Sequence, residues 1–162
     1  MSELDALGAE VGALLKAKKH TIAVAESSAG GLINATLVAV PGASAYYLGG
    51  GIVYTRASRE GILGIKAEEM KGIRSASEPF AQLMAARVRA NLGATWGVGE
   101  TGASGPTGNR YGDAPGHACI AVSGPNSAVI TVETGSAERE ANMREFARRA
   151  LGLLKDCLVR SG

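Results

Sequence analysis

The sequence predicts an α/β fold: a single domain in three layers, α/β/α, with helices on both faces of a mixed sheet. Short apolar runs of strand length alternate with longer segments in which apolar residues recur every three or four positions, and the chain closes with a hairpin and a helix. Helices that bracket apolar strands need a sheet face on each side to bury their stripes. With 46% of 162 residues drawn from AVILMFWYC, and no repeat or low-complexity linker, the composition is that of one globular core.

Leu4, Leu7, Val11, Leu14 and Leu15 mark a helix over residues 3–18, with Lys16, Lys18 and Lys19 placed to suit its C-terminus. Residues 21–25 (TIAVA) read as a strand and ESSAGG as a tight turn. The following helix carries Ile33, Leu37 and Val40 and stops at Pro41-Gly42. Residues 45–54 (AYYLGGGIVY) look like a strand interrupted by three glycines, and residues 58–65 like a short helix. Phe80, Met84, Val88 and Leu92 define a long helix opening at Ser77-Glu78-Pro79, where proline in the first turn loses least. Residues 95–101, 117–123 and 126–133 read as strands, and Met143, Ala147, Leu151, Leu154 and Leu158 as the closing helix, with Trp96 in the core.

Seventeen Lys and Arg against fifteen Asp and Glu, without a block of like charge, argue against a nucleic-acid or membrane partner held by bulk electrostatics. No apolar run approaches a membrane span, and the first residues are acidic where a signal peptide is basic. Cys119 and Cys157 have neither CxxC spacing nor a neighbouring histidine, and each sits in an apolar pattern. A soluble, cytoplasmic protein is the expectation.

Residues 25–31 (AESSAGG) lie at the C-terminal end of a strand and the start of a helix, where open α/β sheets bind ligands. The amides of Ser28, Ala29 and Gly30 are placed to bind a phosphate or an oxyanion, with Ser27 as a nucleophile; alternatively a serine caps the helix and Gly30 and Gly31 serve packing. Thr101, Gly102, Ala103, Ser104 and Gly105 open a second small-residue loop, predicted on the same sheet edge. Gly97, Gly99 and Gly102 satisfy GxGxxG only formally, because the first two fall inside a strand. No metal-ligand spacing occurs. His20 reads as a solvated surface residue, and His117 as a strand-edge histidine bonded to a loop carbonyl or, less simply, as a pocket residue.

AESSAGGL, GGGIVYTRASREGILGI, SASEPFAQLMA and TGASGPTG resemble, in order and spacing, the C-terminal domain family of CinA-type competence/damage-inducible proteins, also known as nicotinamide-nucleotide amidohydrolases. The resemblance spans roughly residues 5–155 and leaves no room for the molybdopterin-binding-like domain that precedes it in many relatives, so a stand-alone form is expected. It implies hydrolysis of the carboxamide of nicotinamide mononucleotide to nicotinic acid mononucleotide and ammonia, with no metal or cofactor, by a homodimer or higher homo-oligomer. The family's AES-C-T-G-G pattern puts the serine nucleophile on Ser27, and its Y-S-N-E-x-K motif puts a site tyrosine on Tyr54. Thr101 to Gly108 match the loop near the nucleotide, and Arg139 matches a phosphate contact.

The same alignment places Arg59 where the family has its lysine base, and Ala29 where it has threonine. A guanidinium with a pKa of about 12 or more does not serve as a base near neutrality. Lys66 and His117 are candidate substitutes by position alone. Two readings follow: an amidohydrolase with rerouted base catalysis, or a weak or inactive nucleotide-binding and regulatory protein in which Arg59 grips the phosphate.

Overall fold

The computed structural model describes residues 2–161. Helix α1 (Glu3–Lys18) leads into β1 (Ile22–Glu26), α2 (Leu32–Val38), β2 (Tyr47–Ile52), α3 (Arg56–Leu63), α4 (Glu78–Leu92), β3 (Trp96–Ala103), β4 (His117–Ser123), β5 (Ala128–Glu133) and α5 (Arg139–Arg160). The five strands form one sheet in the order β2-β1-β3-β4-β5. β2, β1 and β3 run parallel, and β4 and β5 run antiparallel to their neighbours, so the sheet is mixed. The predicted three-layer α/β domain is the observed one.

Strand alternation sorts the core into two faces. Ile22, Val24, Trp96, Val98, Ile120 and Val122 pack with residues of α1, α2 and α5, while Ala23 and Ala25 pack with residues of α3 and α4. The second face is floored by small residues. A Cβ on Gly97 would lie 2.1 Å from the Ala85 carbonyl oxygen, and one on Gly99 2.3 Å from that of Ala81. α4 therefore rests its backbone directly on β3. Its start is defined as the sequence predicts: Ser77 at the N-cap accepts the Phe80 N–H at 3.4 Å, and Pro79 sits in the first turn.

Several boundaries differ from expectation. Residues 43–45 form a single 3-10 turn instead of strand, because Tyr46 turns inward and donates its hydroxyl to the Leu37 carbonyl at 2.6 Å. β3 runs through Ala103, so Thr101, Gly102 and Ala103 belong to the strand and the loop starts at Ser104. α5 starts at Arg139, a turn before the expected apolar stripe. His20 is not merely solvated: its Nδ1 accepts the Trp96 indole N–H at 3.0 Å. Among the described residues, no helix is long and apolar enough to cross a membrane.

The glycine floor yields a direct test. Gly99→Ala must displace α4 or β3 and should cost about 2 kcal/mol or more of unfolding free energy, read as a lower midpoint in urea at unchanged slope. A loss below about 0.5 kcal/mol would mean that α4 does not sit on β3 as described.

Candidate active site

The C-terminal ends of β1, β2 and β3 lie on one edge of the sheet, because these strands are parallel. Three segments meet there: the turn after β1 with Ser27 and Ser28, the segment after β2 with Tyr54, and the end of β3.

Two buried glutamates build the first turn. Ala25 pairs with Gly99, so Glu26 and Glu100 stand side by side on the α2 face of the sheet. Both are wholly buried. Glu26 Oε1 accepts the N–H groups of Gly31 (2.8 Å) and Ile33 (3.2 Å), and its Oε2 accepts the Asn34 N–H and Nδ2–H at 2.8 Å each. Glu100 Oε1 accepts the N–H groups of Ser27 and Ala29 at 2.9 Å each, and its Oε2 takes a short hydrogen bond from the Ser28 hydroxyl. Burial pushes Glu100 up to about 7 against the pull of these donors, and the neighbouring Glu26 adds to the rise. Burial raises Glu26 as well, opposed by its amide donors.

The anion site expected at the start of α2 is therefore already occupied by protein carboxylates. Ala29 N–H goes to Glu100 and Gly31 N–H to Glu26, and Gly30 N–H closes on the Ser27 carbonyl at 3.0 Å. Among the described residues, Ser28 N–H is the amide of this turn left without a partner. Neither serine caps α2, whose N-cap is Gly31 at φ +101° with no side-chain bond. Gly30 and Gly31 supply left-handed backbone, and the Ala29 side chain is core; none of the three lines a cavity.

Two adjoining cavities open over this edge. The larger, about 550 Å³, is lined by Ser27, Tyr54, Arg59 and Thr101 together with Arg56, Arg74 and Arg110. The smaller, about 250 Å³, is lined by Ser28, Tyr54, Gly102, Ala103, Ser104, Gly105 and Arg139. Tyr54, Gly102 and Asn109 border both. The larger cavity has four arginines in its wall and no carboxylate, histidine or lysine. Arg74 pairs with Asp113 at 2.8 Å, and the guanidinium groups of Arg74 and Arg110 lie 5.0 and 5.1 Å from the Tyr111 ring. Arg59 Nε is buried and has no hydrogen-bond partner among the described residues.

Of the sequence-predicted residues, Ser27, Arg59, Tyr54, Thr101 and Gly102 share the larger cavity, and Ser28, Ala103, Gly105 and Arg139 the smaller. Arg139 donates to the Gly105 carbonyl at 2.5 Å and to the Tyr54 hydroxyl at 3.1 Å, so it ties the loop to the tyrosine. Lys66 is exposed and lines neither cavity. His117 is a strand-edge residue, bonded to Glu133 at 2.5 Å and to the Ala76 carbonyl at 2.8 Å. Burial opposes its charge, but Ala76, Glu133 and Asp113 outweigh that and hold its pKa above the ordinary value.

Two residues are absent from the sequence reading. Glu100 carries a visible signal, a carboxylate at the core-facing parity of Val98 within an apolar strand, which residues 95–101 taken as a plain strand pass over. Asn142 is buried and donates Nδ2–H to the carbonyls of Ser104 and Ser136 at 2.8 Å each, anchoring the loop beside the smaller cavity.

An α/β domain with a serine turn facing an arginine-walled cleft is the class that fold and site define. The CinA C-terminal domain model matches residues 4–158. The chain is 37% identical over 151 residues to the CinA-like protein of Anaeromyxobacter sp. (strain K), covering 93% of this chain and 37% of that protein. It is 38% identical over 155 residues to the CinA-like protein of Desulfosudis oleivorans, covering 95% and 38% respectively. It thus spans little more than a third of the length of these relatives. The crystal structure of a competence-damaged protein (CinA) superfamily protein from Klebsiella pneumoniae superposes with a TM-score of 0.91 at 23% identity, covering 98% of this chain and 99% of that one. The chain belongs to the CinA C-terminal domain family.

The buried carboxylate gives a pH test of the site's geometry. Folded Glu100 holds its proton to about pH 7 while the unfolded chain releases it near 4.5, so its contribution to stability declines as pH rises between those values. Glu100→Gln keeps an acceptor for the two amides and removes the titration. Its urea midpoint relative to the unmodified protein should climb from pH 4.5 to about 7; parallel curves would show that Glu100 has the same pKa folded and unfolded.

Proposed function

We propose that this protein hydrolyses the carboxamide of nicotinamide mononucleotide, giving nicotinic acid mononucleotide and ammonia without a metal. The observation that carries the reading is Arg59: an unpaired, partly buried guanidinium in a cavity walled by arginines, beside the turn that holds two serines. Such a wall suits a phosphate, which a guanidinium grips with two parallel hydrogen bonds. In this reading the smaller cavity, beyond the waist formed by Tyr54, Gly102 and Asn109, takes the nicotinamide end. The resemblance assigns the attack to Ser27, which lines the phosphate side of that waist.

A second reading, nucleotide binding without turnover, is favoured by one observation: no base lines the cavity that Ser27 enters. A cytoplasmic setting is supported by two buried, unpaired cysteines. Assembly with a second copy is supported by Leu48 and Ile52, exposed on the edge strand β2.

Purified protein with nicotinamide mononucleotide and a chelator should release ammonia and nicotinic acid mononucleotide in equal amounts. Arg59→Ala should weaken nucleotide binding, measured by calorimetry, about tenfold or more. Arg59→Lys should also weaken it, with kcat changed no more than a few-fold. Nucleotide bound but not hydrolysed, with turnover appearing in Arg59→Lys, selects the binding reading; neither binding nor turnover rejects both.

A further inference from the structure

We propose that His117 is a positioning residue of the larger cavity: as an imidazolium it pins the Ala76 peptide in a left-handed conformation, and the pinned peptide makes the Thr101 hydroxyl a donor to an anionic ligand oxygen. The nucleotide of the amide-hydrolysis reading supplies that oxygen, so the ligand arm rests on that reading, whereas the clamp itself stands on contacts within the chain.

Ala76 is the strained point. Its φ is +55°, a region that crowds an alanine Cβ and favours glycine. Such a conformation persists where the surroundings over-determine it, and here both sides of the residue are held. Its N–H donates to Thr101 Oγ1 at 3.1 Å, and its carbonyl faces His117 Nε2 at 2.8 Å, with longer contacts from Arg74 Nη1 at 3.4 Å and Cys119 Sγ at 3.7 Å. Thr101 is buried at the cavity wall. One lone pair of its hydroxyl is engaged by the Ala76 N–H, while the hydroxyl hydrogen has no acceptor among the described residues and is available to a ligand in the cavity.

The ring of His117 must carry both protons to complete this clamp. Nε2 faces a carbonyl and Nδ1 faces Glu133 Oε1 at 2.5 Å, and a neutral imidazole has a single N–H to offer two acceptors. Charged and titratable groups approach from each element around it: Glu133 from β5, Asp113 from the preceding loop at 3.6 Å from Nε2, and Cys119 from β4 at 3.8 Å. Arg74, ahead of α4, is paired to Asp113, and Glu78 of α4 is bonded to Thr131 beside Cys119. Burial opposes the charge on His117, but Ala76, Glu133 and Asp113 outweigh it and raise its pKa above the ordinary value. The clamp is therefore complete at and below the ordinary histidine pKa and is lost as pH rises through the raised one. The last proton stays on Nδ1, where the carboxylate is the stronger acceptor, so deprotonation sets the Nε2 lone pair against the Ala76 carbonyl.

Two measurements test the proposal. The first is nuclear magnetic resonance of the protein labelled with 15N in its histidines, with no ligand added. At pH 6.5 both ring nitrogens of His117 should be protonated, and Nε2 should titrate with a midpoint above 6.5 while Nδ1 keeps its proton. A neutral ring at pH 6.5, or loss of the Nδ1 proton first, overturns the clamp.

The second is calorimetric affinity for nicotinamide mononucleotide and for inorganic phosphate. Thr101→Val should weaken both about fivefold; His117→Ala should do the same alone and add nothing in the Thr101→Val background. Ala76→Gly, in which glycine takes the left-handed conformation without a clamp, should restore His117→Ala to within about twofold of the unmodified protein. Between pH 6.5 and pH 9 the unmodified protein should lose affinity about fivefold relative to Ala76→Gly, a comparison in which the titration of the ligand cancels. Additive effects of His117→Ala and Thr101→Val, no rescue by glycine, or equal pH profiles overturn the proposal, because a histidine that only fills space gives all three. Should His117→Ala fail to fold, the ring spectrum and the pH comparison with Ala76→Gly decide. Phosphate bound with these dependences but nucleotide not bound upholds the clamp and rejects the substrate. Nucleotide bound and hydrolysed without them does the reverse, and binding of neither ligand rejects the substrate and the donor role of Thr101 together.

Discussion

The arrangement of this site depends on two carboxylates buried next to each other, Glu26 and Glu100, on adjacent parallel strands. Placing two acidic groups in a core is costly unless hydrogen bonds compensate, and here the compensation is the backbone of a single turn. The amides of Ser27, Ala29, Gly31, Ile33 and Asn34 all end on these two side chains. The segment from β1 to α2 is thereby held at both ends, by Glu26 from within and by Glu100 from across the sheet. Such a turn has little freedom to reorganise, and a hydroxyl mounted on it keeps one direction. Pre-organisation of that kind costs nothing at the moment of reaction.

The opposite face of the sheet sets the other wall. Because Gly97 and Gly99 let α4 lie against β3, the segment leading into α4 reaches the end of that strand: Ala76 N–H donates to the Thr101 hydroxyl at 3.1 Å, and Ala76 C=O faces His117 at 2.8 Å. Residues 74–76 are in this way fixed as cavity wall. This path of contacts joins the glycine floor to the cleft.

Fold class, element order and the Ser77-Glu78-Pro79 helix start were legible because periodicity and cap residues are local signals. The cleft was legible in outline, since parallel strands bring the ends of β1 and β3 to one edge. What failed was the inference from a helix N-terminus to a free anion site. Local sequence shows that amides exist at residues 28–31 but not that residues 26 and 100 consume them, and a partner more than seventy positions away in the chain leaves no mark on the turn. The bonds that Arg139 makes were not legible for a similar reason, because its partners Gly105 and Tyr54 come from two distant segments. Glu100 was the one long-range partner with a local trace, a charged residue in the core-facing register of a strand.

Charge is divided across the cleft in a way that bears on how pH acts here. The wall of the larger cavity carries four guanidinium groups, the side chain least suited to release a proton. A lysine at position 59 could pair with an anion and also accept a proton; an arginine can do only the first. Once the anchor cannot titrate, a proton acceptor has to lie elsewhere, and it must be shielded from the guanidinium groups, since their positive potential would draw its pKa down and weaken it as a base. Glu100 sits beneath the turn, bonded to neutral donors and beside a second carboxylate, and lines neither cavity. At position 59 anion pairing and proton transfer are thus separated, because a guanidinium can pair with an anion but leaves the proton to another group.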